Sequence, residues 1–142
     1  MNIAINLLLW AHFMGLGMAV GGGIALSQIG PRLAAAAADR RGDWWPLETF
    51  FSRIASAGLV VLLITGPLML WLKFGGPGGL SHWFWAKMAL VALALAAVGV
   101  HEWAGARFKR GDETAIPAMF LGGRLAGAAI TLVVICAVFT FN

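Results

Sequence analysis

Long apolar stretches, separated by short polar or glycine-rich segments, dominate the hydrophobic pattern of this chain. They predict four helices, at about residues 3–28, 50–74, 82–108 and 115–141. Each stretch has the roughly 20 apolar residues that a helix needs to cross the hydrocarbon core of a bilayer. The pattern therefore predicts an all-α membrane protein, a four-transmembrane-helix bundle that forms a single domain over residues 1–142.

Composition supports the membrane interpretation. The chain is 61% hydrophobic and 11% charged, whereas a soluble domain has about 25% charged residues. The net charge of +4 is compatible with nucleic-acid binding. However, the basic residues lie in short loops beside apolar stretches, where they orient a membrane protein. We therefore expect a lipid bilayer as the main partner and no nucleic acid.

Basic residues are distributed unevenly between the two sides of the predicted bundle. One side has Arg32, Arg40, Arg41, Arg53, Arg107, Lys109 and Arg110. The other side has only Lys73 and Lys87. Basic loops stay in the cytoplasm, so we expect loops 29–47 and 109–114 to be cytoplasmic. Both termini then face the same outer side, and the setting predicted is a bacterial inner membrane.

Small residues recur along the first predicted helix. Gly15, Ala19 and Gly23 are spaced four residues apart, which places them on one helix face. Such a face lets a second helix or a flat ligand approach the backbone closely. The pattern leaves both interpretations open.

Ionisable side chains inside a bilayer are costly, so each one is a candidate for function. The candidates are His12, Lys87, His101 and Arg124. His12 shares a helix face with Gly15 and Ala19, which favours an axial haem ligand above a groove with room for a porphyrin. A structural histidine bonded to a carbonyl group is the alternative.

Lys87 is predicted to lie near His12, because the first and third helices run in the same direction. The pair is suited to binding an anionic substrate or transferring a proton, unless Lys87 extends to the outer headgroups. His101 lies about 18 Å further along the membrane normal than His12. One haem in one chain therefore cannot use both histidines, and His101 is interpreted as marking the cytoplasmic interface, with a ligand or proton-path role as the alternative.

In the fourth helix Arg124 lies between Gly122-Gly123 and Leu125-Ala126-Gly127, and it is expected to face the bundle interior. There it suits a propionate or another carboxylate; the alternatives are that it caps the carbonyl group released at Pro67 or extends to the headgroups. Soft sulfur ligands from Met14, Met18 and Met88, together with His12, would suit Cu(I) as an alternative metal site.

Three short stretches carry a resemblance to a known family. They are Trp10-Ala11-His12 with Pro31-Arg32-Leu33, then Trp85-Ala86-Lys87-Met88-Ala89-Leu90-Val91, and then Glu113 with Pro117. In these stretches, in size and in span count, the chain resembles the HemJ-type protoporphyrinogen IX oxidases, small four-helix membrane proteins of tetrapyrrole biosynthesis. The resemblance implies haem b as the cofactor.

We therefore predict a haem-binding integral membrane redox protein, an oxidoreductase whose substrate is protoporphyrinogen IX and whose electrons pass to a quinone or another carrier. His12 would be the metal ligand. The cofactor-binding residues would be His12, Gly15, Ala19 and His101, and the catalytic residues would be Lys87 and Arg124. The alternatives are a non-catalytic accessory or assembly subunit of a larger membrane complex, or a homo-oligomeric CopD-like copper or small-solute transport protein.

Overall fold

The computed structural model describes residues 3–76, 78 and 82–140. Within these residues the long helices are α1 (Ile3–Ala35), α2 (Arg41–Phe74), α3 (His82–Lys109) and α4 (Ile116–Thr140). A short 3-10 helix, Glu113–Ala115, precedes α4. Each long helix has the length and composition needed to cross a membrane, because a helix satisfies its backbone hydrogen bonds internally where no water is present. The predicted all-α four-helix class is confirmed.

The first loop is shorter than the sequence pattern indicated. α1 continues through Pro31 to Ala35, and α2 begins at Arg41, so most of the predicted loop 29–47 is helical. A proline inside a helix costs about 3 kcal/mol. Burial of Leu33 and its neighbours against the other helices offsets this cost. At the other end of the chain, Phe141 of the fourth predicted span lies outside the described residues.

Two helical hairpins make up the bundle. α1 packs along α2 and α3 packs along α4, while the hairpins meet through a smaller contact between α1 and α4. The segments 36–40 and 110–112 lie at one end, which we call the loop face. There Arg41 forms an ion pair with Glu113, with Nη1 and Oε1 2.6 Å apart, so the hairpins are joined at this end by side chains.

Glycine allows the helices within each hairpin to approach closely. A Cβ atom added to Gly58 of α2 would lie 2.5 Å from the Gly15 carbonyl oxygen and 2.6 Å from the Ala19 backbone nitrogen. A Cβ on Gly122 of α4 would lie 2.7 Å from the His101 backbone nitrogen. Around Gly15 and Ala19, the small-residue face of α1 is therefore used for packing against α2.

The best-buried apolar cluster lies near the loop face. It consists of Leu33, Ala104, Phe108, Ala115 and Met119. By contrast, large apolar side chains along the helices are exposed, such as Ile24 at 62% and Trp71 at 67%. Extensive exposed apolar surface of this kind requires a non-aqueous surrounding, so the bundle is that of an integral membrane protein.

Candidate functional site

A cavity of about 960 Å³ lies between the two hairpins, and all four helices contribute to its wall. The α1 side of the wall extends from Ala19 to Ala35, a length of about 24 Å at the rise of an α-helix. Its lining is mainly apolar, and its polar side chains are Ser27, Ser52, Ser56, His101, Glu102, Arg124 and Thr131. The volume is at the upper end of the range for small-molecule sites.

The charged wall residues are contributed by α3 and α4. Glu102 lies beside His101 on α3, and its Oε1 accepts a hydrogen bond from the Ser52 hydroxyl of α2. Arg124 follows two residues after Gly122, whose backbone lies directly against that of His101. This close approach places the arginine on the same level of the bundle as the histidine. The cavity therefore combines an apolar body with a cationic and an anionic group.

His101 connects the cavity wall to a buried acid. Its Nδ1–H donates to the Met119 carbonyl oxygen, with a distance of 2.9 Å. Its Nε2 faces Glu48, whose Oε1 is 3.7 Å away. Among the described residues, neither His101 Nε2 nor Glu48 Oε2 has a hydrogen-bond partner, although both atoms are buried. Because Nε2 is turned away from the cavity, His101 does not present an open nitrogen to a haem placed there.

Glu48 is a functional candidate that sequence reasoning missed. Its residue is 5% exposed, and an almost fully buried carboxylate is rare unless it is paired. The sequence feature that could have identified Glu48 is its spacing from Ser52, since residues four apart share one helix face. The signal was lost because the predicted helix began only at residue 50, whereas α2 begins at Arg41.

His12 lies in the half of the bundle away from the loop face, where a hydrogen bond to Thr65 of α2 orients its imidazole. The Thr65 hydroxyl donates to the Val61 carbonyl oxygen at 2.7 Å, so its proton is already used. The 2.7 Å contact between His12 Nδ1 and Thr65 Oγ1 must then be a bond donated by Nδ1–H. The neutral imidazole consequently has its lone pair on Nε2. A hydrogen bond of this kind at the second nitrogen commonly orients a metal-ligating histidine.

Lys87 lies near the start of α3, in the half of the bundle away from the loop face, which also contains His12. The two groups are close enough for their charges to interact. The Lys87 Nζ also lies 5.1 Å from the centre of the Phe84 ring, within the range of a cation–π contact. The wall of the 960 Å³ cavity includes neither residue; its nearest α1 residue, Ala19, is about 10 Å along the helix from His12.

The predicted site residues thus occupy two regions. Ala19, His101 and Arg124 line the cavity, whereas His12 and Lys87 lie in the half of the bundle away from the loop face. Gly15 is covered by α2. The described residues contain no cluster of three or more His, Cys, Asp or Glu side chains suited to a metal ion.

The chain was compared with models of known protein families, with characterised proteins and with solved structures, and no match was found.

Proposed function

We propose that this integral membrane protein binds a large, mainly apolar molecule that has a carboxylate group, of the class to which tetrapyrroles belong. The observation that supports the proposal is the cavity between the hairpins, with its apolar wall and Arg124. A volume of about 960 Å³ accommodates a macrocycle, and a soluble or fully hydrated ligand would not need so apolar a lining.

Arg124 is the group that would bind the carboxylate. A guanidinium group binds a carboxylate with two parallel hydrogen bonds, and it remains charged in an apolar environment. The residues around it, Gly123 and Gly127, have no side chains that would compete for the same space. Glu102 is already engaged by Ser52, which favours Arg124 as the cationic contact of an incoming anion.

The binding test uses purified full-length protein in lipid nanodiscs, with protoporphyrin IX as the probe and its fluorescence as the readout. Arg124→Gln should weaken binding about 10- to 100-fold, since a hydrogen bond to a charged group contributes about 1.5–3 kcal/mol. Arg53→Gln is the matched control, because Arg53 is an exposed arginine of α2 outside the cavity wall.

Two results would contradict the proposal. One is an equal loss of affinity in the Arg124 and Arg53 variants, which would indicate a general charge effect. The other is equally tight binding of the dimethyl ester of the probe, since this compound has no carboxylate for Arg124 to bind.

A haem-binding oxidoreductase is the second candidate, and the His12–Thr65 hydrogen bond favours it. His12 Nε2 has the lone pair that an axial ligand requires, and haem b at this nitrogen would supply one-electron chemistry. Lys87 and Arg124 would then bind substrate or propionate carboxylates, with a quinone as the electron acceptor. Detergent-purified protein should show a Soret band that His12→Ala abolishes and His101→Ala retains. Equal loss in both variants would contradict His12 as the ligand.

For the orientation in the membrane, we propose that the loop face is cytoplasmic and that the membrane is a bacterial inner membrane. The basic residues Arg40, Arg41, Lys109 and Arg110 at this face support the assignment. An Asp39→Cys variant in intact cells should resist a membrane-impermeant maleimide until the cells are permeabilised. Immediate labelling in intact cells would reverse the assignment.

A further inference from the structure

The imidazole of His101 stands between the cavity and a buried carboxylate. Its Nδ1 side faces the cavity wall, because a Cβ atom on the lining residue Gly123 would lie 3.4 Å from this nitrogen. Its Nε2 side faces Glu48 Oε1 at 3.7 Å. The two nitrogens of the His101 ring therefore face different surroundings, Nδ1 the cavity wall and Nε2 the Glu48 carboxylate.

Glu48 in turn leads to the loop face. Its Oε2 lies 3.8 Å from the Nζ of Lys109, whose side chain is 45% exposed. The gaps of 3.7 and 3.8 Å on the two sides of this carboxylate are too long for direct hydrogen bonds. A small side-chain movement or one bridging water molecule would complete the hydrogen-bonded connection across each gap.

The charged groups around this pair come from three helices. Glu48 lies on α2, Glu102 and Lys109 on α3, and Arg124 on α4, and both glutamates act electrostatically on His101. The α1 residues that line the cavity have no charged side chains. Two acids and a histidine that lie together, beside a lysine whose side chain is 45% exposed, form an arrangement suited to moving a proton.

We propose that Glu48 and His101 form a proton-transfer path that delivers protons from the loop face to a ligand in the cavity. The path rests on the proposed function, since the final acceptor is the bound ligand. The two groups that support the path are the buried Glu48 carboxylate and the buried His101 Nε2 that faces it, because a buried polar pair of this kind requires a structural or chemical role.

The proton moves in three steps and leaves both residues in their starting state. The carboxyl O–H bond of protonated Glu48 breaks, and an N–H bond forms at His101 Nε2. The Nδ1–H group of the resulting imidazolium first releases the Met119 carbonyl oxygen, and its N–H bond then breaks as the proton passes to a carboxylate or other basic atom of the ligand. Exchange of the remaining proton from Nε2 to Nδ1, through ring rotation or water, restores the starting tautomer. Glu48 regains its proton from water near Lys109.

The kinetic test uses full-length protein in nanodiscs with a bound pH indicator, a hydroxycoumarin that has an alkyl chain and a carboxylate. After a stopped-flow drop in pH, Glu48→Gln should slow protonation of the bound indicator at least about tenfold, the lower range for general acid–base groups, with unchanged equilibrium affinity. Asp43→Asn is the control, because Asp43 is an exposed acid of α2 that lies outside both the path and the cavity wall. Equal rates in Glu48→Gln and the parent protein would overturn the path.

A second measurement does not depend on a ligand. In ¹⁵N NMR spectra of the ligand-free protein, Glu48→Gln should shift the His101 Nε2 resonance and its pH dependence, while the Nδ1–H group stays hydrogen-bonded to the Met119 carbonyl oxygen. An unchanged Nε2 resonance would overturn the path even if the indicator does not bind. Failure of the indicator to bind, together with the expected Nε2 shift, would overturn the proposed ligand and leave the Glu48–His101 proton exchange supported.

Discussion

Replacement of Gly58 by alanine tests the close packing within the first hairpin. The added methyl group would lie 2.5 Å from the Gly15 carbonyl oxygen, whereas real Cβ atoms essentially never approach closer than 3.0 Å. The two backbones must therefore separate by at least about 0.5 Å, since the methyl group meets main chain rather than a flexible side chain. Overpacking of this kind costs about 1–3 kcal/mol.

Gly17→Ala is the matched control. It lies on the partner helix α1, and a Cβ atom there would have nothing within 4 Å. Both substitutions gain the same helix propensity, about 0.5–1 kcal/mol, so the difference between them isolates the packing cost. We expect Gly58→Ala to unfold more easily than Gly17→Ala by about 1–3 kcal/mol, measured by steric trapping in bicelles. Equal free energies of unfolding for the two variants would refute the reasoning.

Two further predictions concern single hydrogen-bond acceptors. Thr65→Val removes the acceptor of the His12 Nδ1–H bond, so ¹⁵N NMR should show the His12 proton moving toward Nε2. Thr131→Val is the control and should leave His12 unchanged, because the Thr131 hydroxyl bonds within α4. The same His12 spectrum in both variants would contradict the assigned tautomer. Hydrogen bonds from Thr114 and the Arg107 guanidinium hold the pKa of Asp112 below its ordinary value of 3.8. The Asp112 carboxylate therefore stabilises the folded state above pH 3.8, and this contribution is lost as the pH falls through the lowered pKa. Asp112→Asn should therefore show a shallower loss of stability in acid, and an unchanged acid limb in thermal unfolding would count against the role of Asp112.

The helices were predictable because the bilayer imposes one solution on an apolar segment of sufficient length. Helix ends were less predictable, since they depend on packing across the bundle. Pro31 and the charged residues from Asp39 onward indicated a loop, but burial of Leu33 in the loop-face cluster extends α1 past the proline. The same error concealed the first turns of α2, where Glu48 lies.

The sequence predicted those parts of the candidate site that consist of single ionisable residues within apolar helices. His101 and Arg124 were identified by the cost of ionisable groups in lipid, and both line the cavity. The partners of the two histidines were not predictable, because Thr65 is 53 residues from His12 along the chain and Glu48 lies on a different hairpin from His101. No local pattern in a sequence specifies such pairings before the helices are assembled.

The division into two hairpins has a consequence for how the protein is made. Most helix–helix packing involves consecutive segments, so each half can acquire its own structure as soon as it leaves the ribosome and enters the bilayer. Joining the halves is then a separate, later step between preformed units. A membrane protein assembled in this order tolerates an internal void, because neither half depends on the space between them being filled. Two fragments divided between α2 and α3 and produced together should therefore reassemble into the four-helix bundle.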